Sequence, residues 1–84
     1  MAADKPIIIT WLEEAKQAGA THLIVVCDTY DYDDYPVSVM PDENVKEIEA
    51  SHNKDMKQVM EVYSLTGKYK IADQINEHRA FHYD

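Results

Sequence analysis

The chain has 84 residues, with 16 Asp and Glu against 8 Lys and Arg and a formal net charge of −8, enough for one domain spanning 1–84 and no second one. Such acidity argues against binding DNA, RNA or anionic membranes through bulk electrostatics, which needs Lys and Arg. With 45% apolar residues, two glycines and three prolines, general disorder is excluded and regular elements with short connections are expected.

The start, Met1-Ala-Ala-Asp-Lys-Pro, lacks the basic region and long apolar core of a signal peptide. Residues 1–9 read as a tail ending in an extended apolar patch, Ile7-Ile8-Ile9. Thr10-Trp11-Leu12-Glu13 has the spacing of a capping box and predicts a helix from Trp11 to about Ala18, with Trp11, Leu12, Ala15 and Ala18 on one face. Gly19 suits the left-handed residue beyond its end. Leu23-Ile24-Val25-Val26-Cys27 is continuously apolar and predicts a strand covered on both faces. A second strand is expected from Tyr35 to Met40, with Pro36 favouring a sheet edge because it cannot donate to a ladder. Thr29 to Asp34 becomes the hairpin connection.

Pro41-Asp42-Glu43 then opens a second helix, with Asp42 as N-cap and Val45 and Ile48 facing inward. Met56 to Leu65 alternates as a third strand, with Val59, Tyr63 and Leu65 on one side and Met60 and Val62 on the other. Thr66-Gly67 turns the chain, and from about Tyr69 onward Ile71, Ala72, Ile75, His78 and Phe81 recur at helical spacing. The order α-β-β-α-β-α predicts a two-layer α+β domain with a three-stranded, mainly antiparallel sheet in the order 2-1-3, helices on one face. The central strand is apolar on both sides, so the other face needs either the Ile7–Ile9 segment and last helix wrapping over it or a second subunit. A homodimer is the favoured expectation.

Between Asp28 and Glu49 the chain places eight acids (Asp28, Asp31, Asp33, Asp34, Asp42, Glu43, Glu47, Glu49) against one base, Lys46. At its head is Tyr30-Asp31-Tyr32-Asp33-Asp34-Tyr35-Pro36. Concentrated like charge repels itself, and tyrosines are common interface anchors. The candidate partner-binding residues are therefore Tyr30, Asp31, Tyr32, Asp33, Asp34, Tyr35, Asp42, Glu43 and Glu47, facing a basic protein surface. Carboxylate rows could also imitate a nucleic-acid backbone and occupy a nucleic-acid-binding protein. The plainer alternative is a solvated hairpin loop whose aspartates suit turns.

Other chemistry finds little support. The calcium-loop pattern fails because Pro36 replaces the central Gly and Asp42 stands where a Glu belongs. His78 and His82 could share a helix face, but two ligands do not make a structural zinc site. Cys27, the sole cysteine, excludes an intrachain disulfide and fits a reducing cytoplasm. His22 lies on the strand face opposite Cys27, and Asp28 diverges from it, so no thiol nucleophile is assembled. No nucleophile elbow, phosphate loop or dinucleotide motif occurs. No enzyme activity, metal or cofactor is expected, and no apolar run spans a bilayer.

The stretches Trp11-Leu12-Glu13-Glu14-Ala15-Lys16, Gly19-Ala20-Thr21-His22-Leu23-Ile24-Val25-Val26-Cys27-Asp28-Thr29 and Asp34-Tyr35-Pro36-Val37 resemble a group of small, uncharacterised bacteriophage accessory proteins. The resemblance covers the first half of the chain and carries no functional residues over. It implies a phage-encoded product of the size used to inhibit or redirect a host protein. The expectation is a non-catalytic acidic interaction protein of the host cytoplasm, the alternative being a small assembly subunit that acts through homo-oligomerisation.

Overall fold

A computed structural model of the chain describes residues 4–66, 70–77 and 80–83. The expected turn at Gly67, helix start at Tyr69 and His78 of the histidine pair lie outside these. Among the described residues are α1 (Lys5–Gln17), β1 (His22–Asp28), β2 (Asp33–Val39), α2 (Val45–Ser51), β3 (Lys57–Ser64) and α3 (Ile71–Ile75). The sheet order is β2-β1-β3, with β1 antiparallel to both neighbours. The α+β class and strand order are those expected from the sequence.

α1 starts earlier than expected. Asp4 caps it by accepting from the Ile7 amide, and Pro6 occupies the first turn, where its missing N–H leaves nothing unsatisfied. Ile7 to Ile9 are therefore helical rather than extended. Thr10 is not the cap; its hydroxyl donates to the Pro6 carbonyl one turn back. Ile8, Leu12 and Ala15 face inward, and Ala18 is the C-cap. Gly19 follows at φ +85°, a conformation that side chains disfavour.

The helices do not share one face. Leu23 and Val25 of β1 join Tyr63, Ile8, Leu12, Ala15, Ala20, Ile75 and Ala80 in one core. Ile24 and Val26 point the other way, into a second core with Val39, Val59 and Val62 that Val45 and Ile48 of α2, together with Tyr83, Tyr35 and Val37, close over. The face that the sequence left to a wrapping segment or second subunit is thus covered within the chain, by α2 and the C-terminal segment. Each fully buried side chain of this kind contributes about 1.5–3 kcal/mol relative to exposure.

β3 does not alternate simply. Glu61 pairs with Val25 but Val59 with Val26, so Met60 is the extra residue of a bulge. Its side chain packs on the first core with Tyr63 and Leu65, while Val59 and Val62 share the second. The expected partition of Val59 with Tyr63 and of Met60 with Val62 is corrected by that one-residue slip.

The last helix is also shorter than its periodicity suggests. α3 ends at Ile75 with Asn76 as C-cap, and the chain then lies along the outer edge of β3. There the Val62 amide donates to the Ala80 carbonyl and the His82 amide donates to the Val62 carbonyl. Higher up, the Gln74 side-chain amide plays the part of a strand: its Oε1 accepts from the Ser64 amide and its Nε2 donates to the Ser64 carbonyl, both at 2.8 Å. Phe81, placed on the last helix by its spacing, instead bridges to Val62 and is 40% exposed. The opposite edge, β2, has no strand beside it among the described residues. Pro36, paired with Val25, has no N–H to offer on that outer edge, and Asp33 and Asp34 add charge; both blunt further strand pairing.

Candidate functional site

The hairpin between β1 and β2 is built by its own aspartates. Asp28 accepts from the Tyr30 amide at 2.9 Å, Asp31 accepts from the Asp33 amide at 3.2 Å, and the Tyr32 amide donates to the Asp28 carbonyl. These side-chain turns fix the loop, so part of the acidity serves local structure. They also leave Tyr30 and Tyr32 79% and 68% exposed, outside both cores.

A second loop reaches the same end of the sheet. The Thr29 amide and hydroxyl both donate to the Met56 carbonyl, at 2.7 and 2.6 Å, bringing the turn before β3 against the hairpin. Met56 is 59% exposed. Among the described residues, Tyr32, Asp55 and Met56 are the non-glycine residues with positive φ, at 59°, 54° and 67°, and all three lie at this end. Left-handed backbone at a non-glycine residue is uncommon. Such strain gathers where a surface must present particular groups. Two exposed tyrosines and a methionine thus share one end, flanked by Asp31, Asp33 and Asp55, with Lys54 and Lys57 as the nearby bases in sequence.

The other expected site residues are distributed differently. Tyr35 is half-buried against the second core and serves packing. Asp34 is partly buried and faces the Cys27 thiol, its pair across the ladder; burial and then the bond to Asp34 push that thiol upward in pKa. Asp42 and Glu43 stand beyond the far end of β2, roughly 20 Å of strand from the hairpin at the usual rise. Glu43 there accepts from the Met40 amide at 2.9 Å. The N-cap of α2 is Asn44, which accepts from the Lys46 and Glu47 amides, in place of the expected Asp42. Glu47 is exposed on α2, while Glu49 accepts from the Tyr83 hydroxyl at 2.6 Å. The structure therefore brings together Tyr30, Asp31, Tyr32 and Asp33, with Asp34 alongside, and sets Asp42, Glu43 and Glu47 apart from them.

Sequence reasoning missed Met56 and the adjoining turn at Asp55, because their place beside Thr29 follows from the β1–β3 pairing, a long-range contact. Trp11 is half-buried against the first core, and its flank forms one wall of a shallow groove of about 170 Å³ between α1 and β2, lined by Trp11, Glu14, Ala15, Pro36 and Ser38.

His22 is buried on the second face, with Nε2 3.0 Å from the Tyr83 carbonyl oxygen and Nδ1 2.9 Å from the Thr21 hydroxyl. His82 stands 2.8 Å from Glu77. These contacts tie the C-terminal segment to the sheet and to the end of α3. Among the described residues no group of three or more His, Cys, Asp or Glu is placed to hold a metal ion. No described helix is long and apolar enough to cross a membrane. Compared with known proteins, the chain matches no family model, no curated protein and no solved structure.

Proposed function

We propose that this protein is a non-catalytic, phage-encoded interaction protein that uses the hairpin end of its sheet to bind a basic surface of a host protein in the host cytoplasm and modulate it. The observation that carries the reading is the cluster of Tyr30, Tyr32 and Met56. Among the described residues, Tyr30 and Tyr32 are the most solvent-exposed of the large apolar side chains, at 79% and 68%, and Met56 follows at 59%, all three at one end of the sheet. Exposed aromatics rimmed by charge are what protein interfaces use as anchors, with the carboxylates governing encounter rate and partner choice. The resemblance to phage accessory proteins supplies the origin and the host target. The assembly-subunit alternative loses its main physical motive, since α2 and Tyr83 already cover the second face of the sheet.

The test is affinity capture from lysate of the native bacterial host, comparing the wild type with two variants. One carries Asp31→Lys, Asp33→Lys and Asp34→Lys; the other carries Tyr30→Ala and Tyr32→Ala. The expected outcome is a protein retained by the wild type and lost from both variants, whose circular dichroism and melting stay those of a folded domain. Equal retention by the folded variants would overturn the reading, as would nothing retained by the wild type.

A further inference from the structure

We infer that the groove between α1 and β2 is the seat for an arginine side chain of the partner, an inference that rests on the hairpin-end reading above and deepens it. The groove combines four chemistries that suit a guanidinium. Trp11 contributes its indole to the wall, the aromatic side chain that best attracts a cation stacked on it. Glu14 supplies a carboxylate, and among the described residues that carboxylate has no ion-pair partner; charge-assisted bonds from a guanidinium to such an acid are the strong ones. Ser38 adds a hydroxyl that can accept a further N–H. Pro36 and Ala15 give apolar wall for the methylene stem, the part of arginine that prefers cover.

Charge selects the occupant further. Among the described residues no Lys or Arg lines the groove, and the chain carries a net −8, so the charge there favours a cation over an anion. Asp34 lies on the same side of β2 as Pro36 and Ser38, about 7 Å from Pro36 at the usual two-residue strand spacing. A strip thus runs from Tyr30 and Tyr32 at the tip, past Asp34, to the Trp11–Glu14 groove. A partner gripping the hairpin end reaches it without crossing a basic residue of β2. Lysine would make the Glu14 contact as a point charge but forgo the planar stacking.

Trp11 is the only tryptophan in the chain, so its fluorescence reads the groove directly. The probe is N-acetyl-arginine amide, titrated at fixed low ionic strength into the purified protein, with N-acetyl-citrulline amide plus matching potassium chloride as the uncharged isostere. The expected result is a saturable change in Trp11 emission, half-complete on the order of millimolar as suits a single side chain. It should be accompanied by movement of the Ser38 amide in the ¹H–¹⁵N spectrum, weakened about fivefold or more in Glu14→Gln, and absent with citrulline. An identical response to citrulline, an unchanged midpoint in folded Glu14→Gln, or no response at tens of millimolar would each overturn it. So would an emission change that grows with protein concentration alone and disappears in Arg79→Gln, which would make the occupant a second copy of this chain. The titration leaves the hairpin tyrosines untouched, so its failure is separable from failure of the capture experiment.

Discussion

Replacing Gln74 tests how the sheet is finished. The side chain is fully buried, and both of its polar atoms serve a single backbone residue, Ser64, which is itself 1% exposed. Gln74→Leu keeps the apolar bulk and removes both bonds, leaving a buried N–H and a buried C=O without those partners. Each stranded group costs about 1–3 kcal/mol, so the pair should cost roughly 2–6 kcal/mol. At about 0.05–0.15 kcal/mol per residue, a chain of this length has roughly 4–13 kcal/mol in total. A loss in the lower half of that range, about 3 kcal/mol, would lower the melting temperature by roughly 12–24 °C in a domain of this size. Thermal and urea unfolding followed by circular dichroism give the stability change, and hydrogen exchange at the Ser64 amide localises it. Should the leucine variant melt within about 4 °C of wild type with Ser64 exchange unaltered, the view of Gln74 as a surrogate strand would be refuted.

Two further outcomes follow from titratable groups. Burial, then the bond to Glu49, pushes the Tyr83 phenol up to about 12. Since the folded chain holds that proton where the unfolded chain has lost it, the contribution is fully present below the ordinary tyrosine value near 10 and fades as pH rises towards about 12. Glu49→Gln should bring the phenol titration closer to the ordinary value, read by tyrosinate absorbance; an unshifted titration would contradict the Tyr83–Glu49 contact. Cys27 should react sluggishly with iodoacetamide at mildly alkaline pH, because the thiolate is the reactive form and both burial and Asp34 oppose it. Asp34→Asn should speed alkylation in the folded protein, and an unchanged rate would show that Asp34 has no hold on the thiol.

Much of the architecture could be read from residue order because it rests on local pattern. The continuous run from Leu23 to Cys27 announced a strand buried on both sides, and Pro36 announced an edge. What misled was competition between signals of the same kind. Thr10 and Glu13 have capping-box spacing, yet Asp4 followed by Pro6 makes the real helix start, and Thr10 becomes an interior residue bonded one turn back. Asp42 and Asn44 both suit a cap, and Asn44 takes it. Helical spacing through Ile71, Ile75 and Phe81 was overruled by the exposed edge of β3, whose Val62 backbone groups draw residues 80–82 into an extended pairing. The site was legible in part for the same reason. Tyr30 and Tyr32 stand out in sequence, whereas Met56 joins them only through strand pairing. Residues Asp42 to Glu47 looked contiguous with the hairpin only because the chain had not yet been folded away along β2.

The two-sided burial of β1 couples the halves of the molecule. Its alternate side chains serve opposite cores, Leu23 and Val25 on one side and Ile24 and Val26 on the other, while its backbone carries the ladders to both neighbours. Neither core can therefore melt while the other persists, for the strand that would be released is the one holding both. The domain should unfold as one cooperative unit, a lesion on the α1 side being felt as a loss of protection beneath α2.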